Sequence, residues 1–374
     1  MTDALLLGCH RWAGLLRVAL ACALAAVLGL APPGAWAQAA AGKPMVGVFY
    51  FPGWKNDAIG APSAKPWAPI TAYPEREPLL GWYDEGRADV MAQHLKWMAA
   101  GGLAYVVFDY YWAGMPVLDH AVRAYQASPG KPPLSYALMW ANHDERPKTR
   151  DEFNGMVDDL IGHHLTRPDY LRVGGKPVLF VMLPQVLETQ ARRFASSSAE
   201  LTEQLQSAAR KAGLPGVLLL AGAGGGKYEV TLNAKRWGYQ AYFAYNYHDG
   251  IAGRTNGVQR QSHSFKELDG AYREHWAWFM QQGDMPYVLP MTSGWDKRPW
   301  GGSGDKLHDN SLSTVNEFTQ HLQAGRDVLL ANPAKTFSLG LICCWNEFGE
   351  GAFIEPTKAQ GTRYLDATKS VFGP

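Results

Sequence analysis

Residues 339–351 read LGLICCWNEFGEG, an apolar run followed directly by a short segment with two glutamates. A continuous apolar run such as 339–345 is typical of a strand that is buried on both faces of a sheet. Seven runs of the same kind precede it along the chain, at 45–51, 104–111, 134–140, 177–183, 216–221, 240–245 and 287–291. Longer polar or helix-patterned segments separate them, as at 90–99, 199–212 and 317–330. This alternation predicts an α/β fold, a single (β/α)8 TIM-type barrel, with a doubly wound open sheet as the alternative.

The amino-acid composition indicates which kinds of molecule the protein can bind. Apolar residues make up 47% of the 374 residues, which is enough to build a large core. Lys and Arg number 35 against 34 Asp and Glu, so the chain lacks the basic excess expected of a nucleic-acid-binding protein. The 14 Trp and 17 Tyr residues are numerous, and they favour a surface that stacks flat faces such as sugar rings.

The first 37 residues have the pattern of a signal peptide. Two arginines precede an apolar run at 18–30, and the sequence AWA at 35–37 is a typical cleavage site. We therefore expect a signal peptide over 1–37, a barrel domain over 38–374, and an exported protein that is periplasmic or secreted and not inserted in the membrane. An uncleaved anchor, or a lipoprotein attached through Cys22, is the alternative.

Few residues suggest a metal or an organic cofactor, and the sequence predicts none. Cys343 and Cys344 are adjacent in an apolar run, where we expect two buried thiols, because neighbouring cysteines rarely have disulfide geometry. His163 and His164 lie on a predicted surface helix without a third ligand. The sequence GAGGGK at 222–227 lacks the following Ser or Thr of a phosphate-binding loop, so it predicts a loop after a strand.

Polar and aromatic residues recur where the predicted strands end. In a (β/α)8 barrel the carboxyl ends of all strands meet at one face, which carries the active site. Aromatic rings beside carboxylate, amide and imidazole groups suit a carbohydrate, although each ring can equally cap the barrel core. The predicted substrate-binding residues are Tyr50, Trp54, Asp109, Tyr111, Trp112, Trp140, Asn142, Tyr245, His248 and Trp295.

Glu347 and Glu350 are the predicted catalytic residues. They lie three positions apart, directly after the last buried run and between glycines. Two carboxyl groups held close together acquire different proton affinities, so that one can donate a proton while the other accepts one. Cleavage of a glycosidic bond requires such a pair. Asp109 and Asp144 are further carboxylates that can polarise a hydroxyl or orient the acid.

The segment WNEFGEG at 345–351, followed by FIEP at 353–356 and GTRYL at 361–365, resembles the closing motif of the WbsX and glycoside hydrolase family 99-like group. Earlier pieces occur in the same order, namely FYFP at 49–52, LGWYD at 80–84, YYW at 110–112, MWAN at 139–142 and GGKPV at 174–178. The resemblance covers residues 45–365 and implies a (β/α)8 barrel. This chain has Phe348 where the group usually has Trp, and Gly349 where its mannosidases usually have His.

The characterised members of that group are retaining, endo-acting α-mannosidases. The resemblance implies that Glu347 is the base that deprotonates the sugar 2-hydroxyl, whose oxygen then attacks C1 to give an epoxide. It implies that Glu350 is the acid that protonates the leaving oxygen. We therefore expect a glycosidase acting on an α-linked, mannan-like polysaccharide or exopolysaccharide. A polysaccharide-binding barrel without catalysis, or a WbsX-type glycosyltransferase, is the alternative.

Overall fold

The computed structural model describes residues 43–56, 65–144, 146–224, 227–250, 254–255, 258–259 and 261–373. The predicted signal peptide and its cysteines lie outside the described residues. The same is true of Glu145, of the side chain of Asp144 and of two glycines of the loop at 222–227.

Fourteen strands occur in the described residues, and each predicted apolar run contains one of them. They are β1 Met45–Tyr50, β2 Tyr105–Trp112, β3 Pro116–Val117, β4 Ser135–Trp140, β5 Arg172–Val173, β6 Lys176–Val181, β7 Leu218–Gly222, β8 Ala241–Phe243, β9 Arg254–Thr255, β10 Val258–Gln259, β11 Leu289–Thr292, β12 Leu339–Cys343, β13 Asn346–Glu347 and β14 Ala352–Phe353. The eight predicted strands are β1, β2, β4, β6, β7, β8, β11 and β12, and nearly all of their residues are buried.

The eight strands are parallel and lie side by side in cyclic order of the chain. Their order is β11-β12-β1-β2-β4-β6-β7-β8, so β1 pairs with β12 on one side and with β2 on the other. A further bridge joins Tyr242 of β8 to Tyr287, just before β11, and brings the two ends of the sheet together. This order confirms the predicted barrel, because in an open doubly wound sheet the order of the strands reverses partway along the chain.

Helices follow the strands on the outside of the barrel. They are α1 Ala88–Ala100, α2 His120–Ala127, α3 Arg150–Asp159, α4 Pro184–Arg193, α5 Ser198–Lys211, α6 Lys227–Asn233, α7 Phe265–Gln282, α8 Val315–Ala331, α9 Pro333–Thr336 and α10 Arg363–Phe372. Capping boxes at Ser197 and Thr314 begin α5 and α8, and satisfy backbone N–H groups of the first turn. Among the described residues, no helix has the length and apolarity required to cross a membrane.

Three phenylalanines pack together inside the barrel. Phe49 of β1, Phe180 of β6 and Phe243 of β8 have ring centroids 4.9–6.2 Å apart and are buried. The ring of Phe49 also lies 4.7 Å from that of Tyr245, at the carboxyl end of β8. This aromatic layer lies beneath the polar residues at the strand ends.

The prediction of two free thiols at the end of β12 is wrong. Cys343 and Cys344 form a disulfide, and both residues are fully buried. The peptide bond between them is cis, and their Cα atoms lie 3.0 Å apart, which brings the two sulfur atoms together. The bridge lies just before the segment that carries Glu347 and Glu350.

Candidate active site

The predicted catalytic pair lies on a short hairpin at the carboxyl end of β12. Strand β13 pairs antiparallel with β14, with Glu347 opposite Ala352, and residues 348–351 connect them. Gly351 has φ +73°, and a Cβ at this position would lie 2.8 Å from the backbone nitrogen of Asp296. A glycine is therefore required for the turn that places Glu350 beside Glu347.

Asn346 attaches this hairpin to the end of β1. Its side-chain amide donates to the carbonyl of Phe51 and its carbonyl accepts from the Phe51 N–H, both at 2.9 Å. The indole N–H of Trp54 donates to the backbone carbonyl of Asn346 at 2.8 Å. The loop after β1 and the hairpin are thus joined by three hydrogen bonds between buried groups, which restricts the position of Glu347.

A buried ion pair attaches the hairpin to the loop after β11. The Arg76 guanidinium forms a salt bridge with Asp296 and donates to the carbonyl of Phe348 at 2.6 Å. Arg298 donates to the same Asp296 carboxylate at 2.8 Å, and the Asp296 N–H donates to the carbonyl of Glu350 at 2.7 Å. Burial lowers the pKa of Arg76, an effect that the neighbouring Asp296 opposes.

A cavity of about 430 Å³ opens at this face of the barrel. Seven of the twelve predicted site residues line it, namely Asp109, Tyr111, Tyr245, His248, Trp295, Glu347 and Glu350. The structure therefore brings together both predicted catalytic residues and five of the predicted binding residues, which come from strands β2, β8, β11 and β12 and the segments that follow them.

Three acidic side chains and one tyrosine meet in this cavity. The Tyr245 hydroxyl donates to Glu347 Oε1 at 2.7 Å and lies 3.3 Å from Asp109 Oδ2. Glu347 is 4% exposed and Asp109 is 6% exposed. The second oxygen of each carboxyl group is buried without a hydrogen-bond partner among the described residues. Buried polar atoms of this kind are available to a ligand that enters the cavity.

Burial and mutual repulsion raise the pKa values of these acids. Burial raises the pKa of Glu350 to about 7, and Lys297 opposes the rise. Burial, followed by the charges of Glu350 and Asp109, raises the pKa of Glu347 well above its usual range, whereas the hydrogen bond from Tyr245 opposes the rise. Burial also raises the pKa of Asp109. The three carboxyl groups therefore bind protons more tightly than ordinary carboxyl groups do.

His248 and Trp295 form another part of the cavity wall. Their ring centroids lie 4.0 Å apart, and the Trp295 indole N–H donates to the Ser303 hydroxyl at 2.9 Å. Burial, together with the positive charges of His308 and Lys297, lowers the pKa of His248 to about 3. The imidazole is therefore neutral at physiological pH and can both donate and accept a hydrogen bond.

Two predicted binding residues are buried behind the cavity and do not line it. The Tyr50 hydroxyl lies 3.1 Å from Nδ1 of His94, and the ring is fully buried. The Asn142 side chain pairs with the backbone N–H and carbonyl of Leu183, both at 2.8 Å. The expectation that they contact substrate is therefore corrected, since internal partners satisfy their polar groups. Asn142 instead orients Leu183, which lines the cavity.

Three predicted tryptophans also pack in the interior. Trp54 is 1% exposed and stacks on Trp67 with centroids 4.1 Å apart. Trp112 is buried against Gly155, and Trp140 packs beside Phe153 under α3. None of the three lines the 430 Å³ cavity, so the expectation that Trp112 and Trp140 bind substrate is corrected, whereas Trp54 lines a second cavity beside the first. Their large apolar surfaces stabilise the barrel instead.

Several lining residues were not predicted. They are Phe51, His143, Met182, Leu183, Gly222, Ala223, Gly224, Phe243, Asn246 and Trp300. His143 and Asn246 directly follow predicted strands, and the strand-end rule could have included them. Trp300 lies in a short helical turn, Arg298–Trp300, well beyond the end of β11, and no strand-end signal marks it.

The indole of Trp300 lies directly over Gly349, between the two catalytic candidates. A Cβ at Gly349 would be 2.1 Å from Trp300 Cε2, so any larger residue would displace the ring. Gly349 does not have a positive φ, so close approach, and not backbone conformation, explains the glycine. The absence of a side chain at 349 allows this tryptophan to join the cavity wall.

Metal ligands are not clustered in the part of the chain that the structure describes. No group of three or more His, Cys, Asp and Glu side chains there is arranged to hold a metal ion. His163 is exposed and pairs with Asp159, whereas His164 is buried 3.2 Å from the Tyr136 hydroxyl. His164 Nε2 also lies 3.8 Å from Asp159, so the two histidines share a structural partner.

Known structures share this fold. A glycoside hydrolase-like protein superposes with a TM-score of 0.64 at 14% identity, over 92% of this chain and 97% of that one. The GH99 endo-α-mannosidase from Bacteroides thetaiotaomicron, in complex with bis-tris-propane, gives a TM-score of 0.60 at 14% identity, over 88% of this chain and 96% of that one. At this level of identity the similarity shows a shared barrel fold.

Sequence comparison gives the family. The uncharacterized protein WxcX of Xanthomonas campestris pv. campestris, in strains B100 and ATCC 33913, is 26% identical in an alignment of 313 residues that covers 78% of this chain. The chain spans 42% of the length of these relatives. The family model described as glycosyltransferase WbsX matches residues 63–368, most of the chain. The chain therefore belongs to the WbsX glycosyltransferase family, with a barrel fold shared with glycoside hydrolases.

Proposed function

We propose that this protein is an exported glycoside hydrolase, endo-acting and retaining, that cleaves an α-linked, mannan-like polysaccharide or exopolysaccharide. The observation that carries the proposal is the cluster of Glu347, Glu350 and Asp109 in one cavity at the carboxyl ends of the barrel strands. Burial of three acids beside one cavity destabilises the fold, and buried acids with raised pKa values in a cavity are typical of catalytic sites.

Glu350 is the proposed acid. Its pKa of about 7 keeps a substantial fraction of the carboxyl group protonated near neutral pH. In the first step this proton passes to the glycosidic oxygen as the bond from C1 to that oxygen breaks. Glu350 is then an anion, and it accepts a proton from the water that attacks C1 in the second step, which restores the starting state.

Glu347 is the proposed base. The Tyr245 hydroxyl donates to its Oε1 and favours the carboxylate, against the burial and the neighbouring acids that raise the pKa of Glu347, and the unpartnered Oε2 is the atom that would accept a proton. Following the resemblance to family 99-like enzymes, Oε2 removes the proton of the sugar 2-hydroxyl and the oxygen attacks C1. In the second step water opens the resulting epoxide, and the proton returns to the sugar oxygen.

The other lining residues suit the binding of a sugar. Trp295 and Tyr111 offer aromatic faces to the C–H groups of a pyranose ring, and neutral His248 offers a hydrogen bond to its hydroxyls. Asp109 has one oxygen without a partner, which can accept from a further hydroxyl. The cavity thus combines apolar platforms with a small number of polar groups.

Hydrolysis of α-mannans and bacterial exopolysaccharides tests this proposal. The protein should release oligosaccharides that are detected by mass spectrometry, with the α configuration retained in the initial product by NMR. Glu347→Gln and Glu350→Gln should lose activity and keep the fold. Turnover near the wild-type rate in both variants would exclude the proposed roles.

Glycosyl transfer is the second candidate, favoured by the description of the family. The same two glutamates can deliver the sugar to a hydroxyl of an acceptor instead of water. Products longer than the starting oligosaccharide would identify transfer. Saccharide binding without any product would instead support a polysaccharide-binding barrel.

Export is proposed from residues 1–37 alone. Recovery of a periplasmic or secreted protein whose N-terminus is Gln38 would support cleavage after Ala37. Recovery of the full-length chain in the cytoplasm would contradict it.

A further inference from the structure

A second cavity of about 400 Å³ lies beside the first. The two share Phe51 and Trp300 as walls, so Trp300 has the catalytic pair on one side and the second cavity on the other. The remainder of the second cavity is lined mainly by Trp54, Lys65, Pro66 and Pro69. A ligand that crosses Trp300 therefore passes from one cavity into the other.

Trp300, in the shared wall, packs against other residues on one side and is open to solvent on the other. The Trp300 ring stacks on that of Trp54, with centroids 6.4 Å apart and planes at 25°, and meets Phe51 edge-on at 5.8 Å. It also rests on Gly349, where no side chain intervenes. Trp300 is nevertheless 36% exposed, so a supported aromatic face is available to solvent.

The residues of the second cavity suit a sugar and do not suit chemistry. Trp300 and two prolines present flat apolar surfaces, and the exposed Lys65 provides hydrogen-bond donors for hydroxyls. Among the residues that the structure describes, no carboxyl or imidazole group lines it. Binding in the second cavity would therefore hold a chain without cutting it.

We propose that the second cavity is a saccharide subsite that binds the units of a polysaccharide beyond those beside Glu347 and Glu350, with Trp300 as the platform between the two. This inference rests on the proposed function, because it takes the occupant to be a continuation of the same sugar chain. It explains why a chain-cleaving enzyme would extend its cavity past the reacting bond. Binding energy from remote units positions that bond.

The experiment measures the affinity of α-1,6-linked mannose oligomers, from dimer to hexamer, for the Glu350→Gln protein by titration calorimetry. We expect the hexamer to bind at least about tenfold more tightly than the dimer, about the worth of one aromatic contact. Trp300→Ala in the same background should remove most of this gain. Trp82→Ala is the matched control, because Trp82 is 37% exposed and lines neither cavity, and it should preserve the gain.

Pro69→Trp provides a second variant that leaves Trp300 intact. An indole at this position fills part of the second cavity only, so it should reduce the ratio of hexamer to dimer affinity. Equal affinity for dimer and hexamer, equal effects of Trp300→Ala and Trp82→Ala, or no binding of any oligomer would overturn the proposal.

Hydrolysis of the hexamer by the wild-type protein is recorded separately. Length-dependent binding without cleavage would keep the second subsite and reject the hydrolase. Cleavage without length dependence would keep the hydrolase and reject the second subsite.

Discussion

Replacing Glu350 by Gln should make the protein more stable at alkaline pH. Folding raises the pKa of this carboxyl from 4.5 to about 7, so the folded state binds a proton more tightly than the unfolded chain does. That stability is fully present below the unfolded value and is lost as pH rises through about 7. At about 1.4 kcal/mol per pKa unit, the loss is about 3 kcal/mol above neutrality.

Urea denaturation at about pH 4 and about pH 8.5 measures this effect, because the first value lies below the unfolded pKa of 4.5 and the second lies above the folded pKa of about 7. Gln mimics the protonated acid, so Glu350→Gln should match wild type at the lower pH. At the higher pH it should exceed wild type by about 3 kcal/mol in the free energy of unfolding. Asp327→Asn, an exposed carboxylate on α8, is the control and should change neither. Equal stability of wild type and Glu350→Gln at both pH values would refute the argument that Glu350 titrates in a buried site.

The remaining predictions concern catalysis and the support of the hairpin. If Glu350 acts as the acid, kcat/KM should fall about tenfold per pH unit above pH ~7, and a flat profile to about pH 9 would reject this role. Tyr245→Phe removes the donor to Glu347 and should lower kcat by about ten- to a hundredfold, the worth of a hydrogen bond to a charged group, with an unchanged circular dichroism spectrum. Arg76→Leu leaves a buried carboxylate at Asp296 and should cost about 3 kcal/mol in urea denaturation, near the lower end for a broken buried pair because Arg298 remains. A loss below about 1 kcal/mol would show that Arg298 alone satisfies Asp296.

The fold and the position of Glu347 and Glu350 could be predicted because each depends on contiguous residues. A strand buried on both faces needs an unbroken apolar run, and all eight such runs contain strands. Glu347 and Glu350 follow one of these runs directly, so their place at the barrel mouth follows from the fold. The disulfide between Cys343 and Cys344 was not predicted, because it depends on a local backbone geometry that residue types do not reveal.

The residues that line the cavity were predicted less well, because an aromatic ring at a strand end can face either the cavity or the interior. Trp54 and Trp300 are the same residue type and stack on each other, yet only Trp300 is exposed. The difference arises from the backbone carbonyl of Asn346, which accepts a hydrogen bond from the Trp54 indole N–H and keeps that ring buried. Contacts between distant parts of the chain decide such outcomes, and a linear pattern does not record them.

Gly349 shows how such a contact changes the meaning of a sequence difference. In the sequence, glycine at this position is a departure from the histidine that is usual in the mannosidases of the group that the chain resembles. In the structure, the space that a side chain would fill is occupied by Trp300 from another loop. The glycine therefore makes room for the aromatic wall between the two cavities, and under the proposed function this wall is the feature that should decide which saccharide binds.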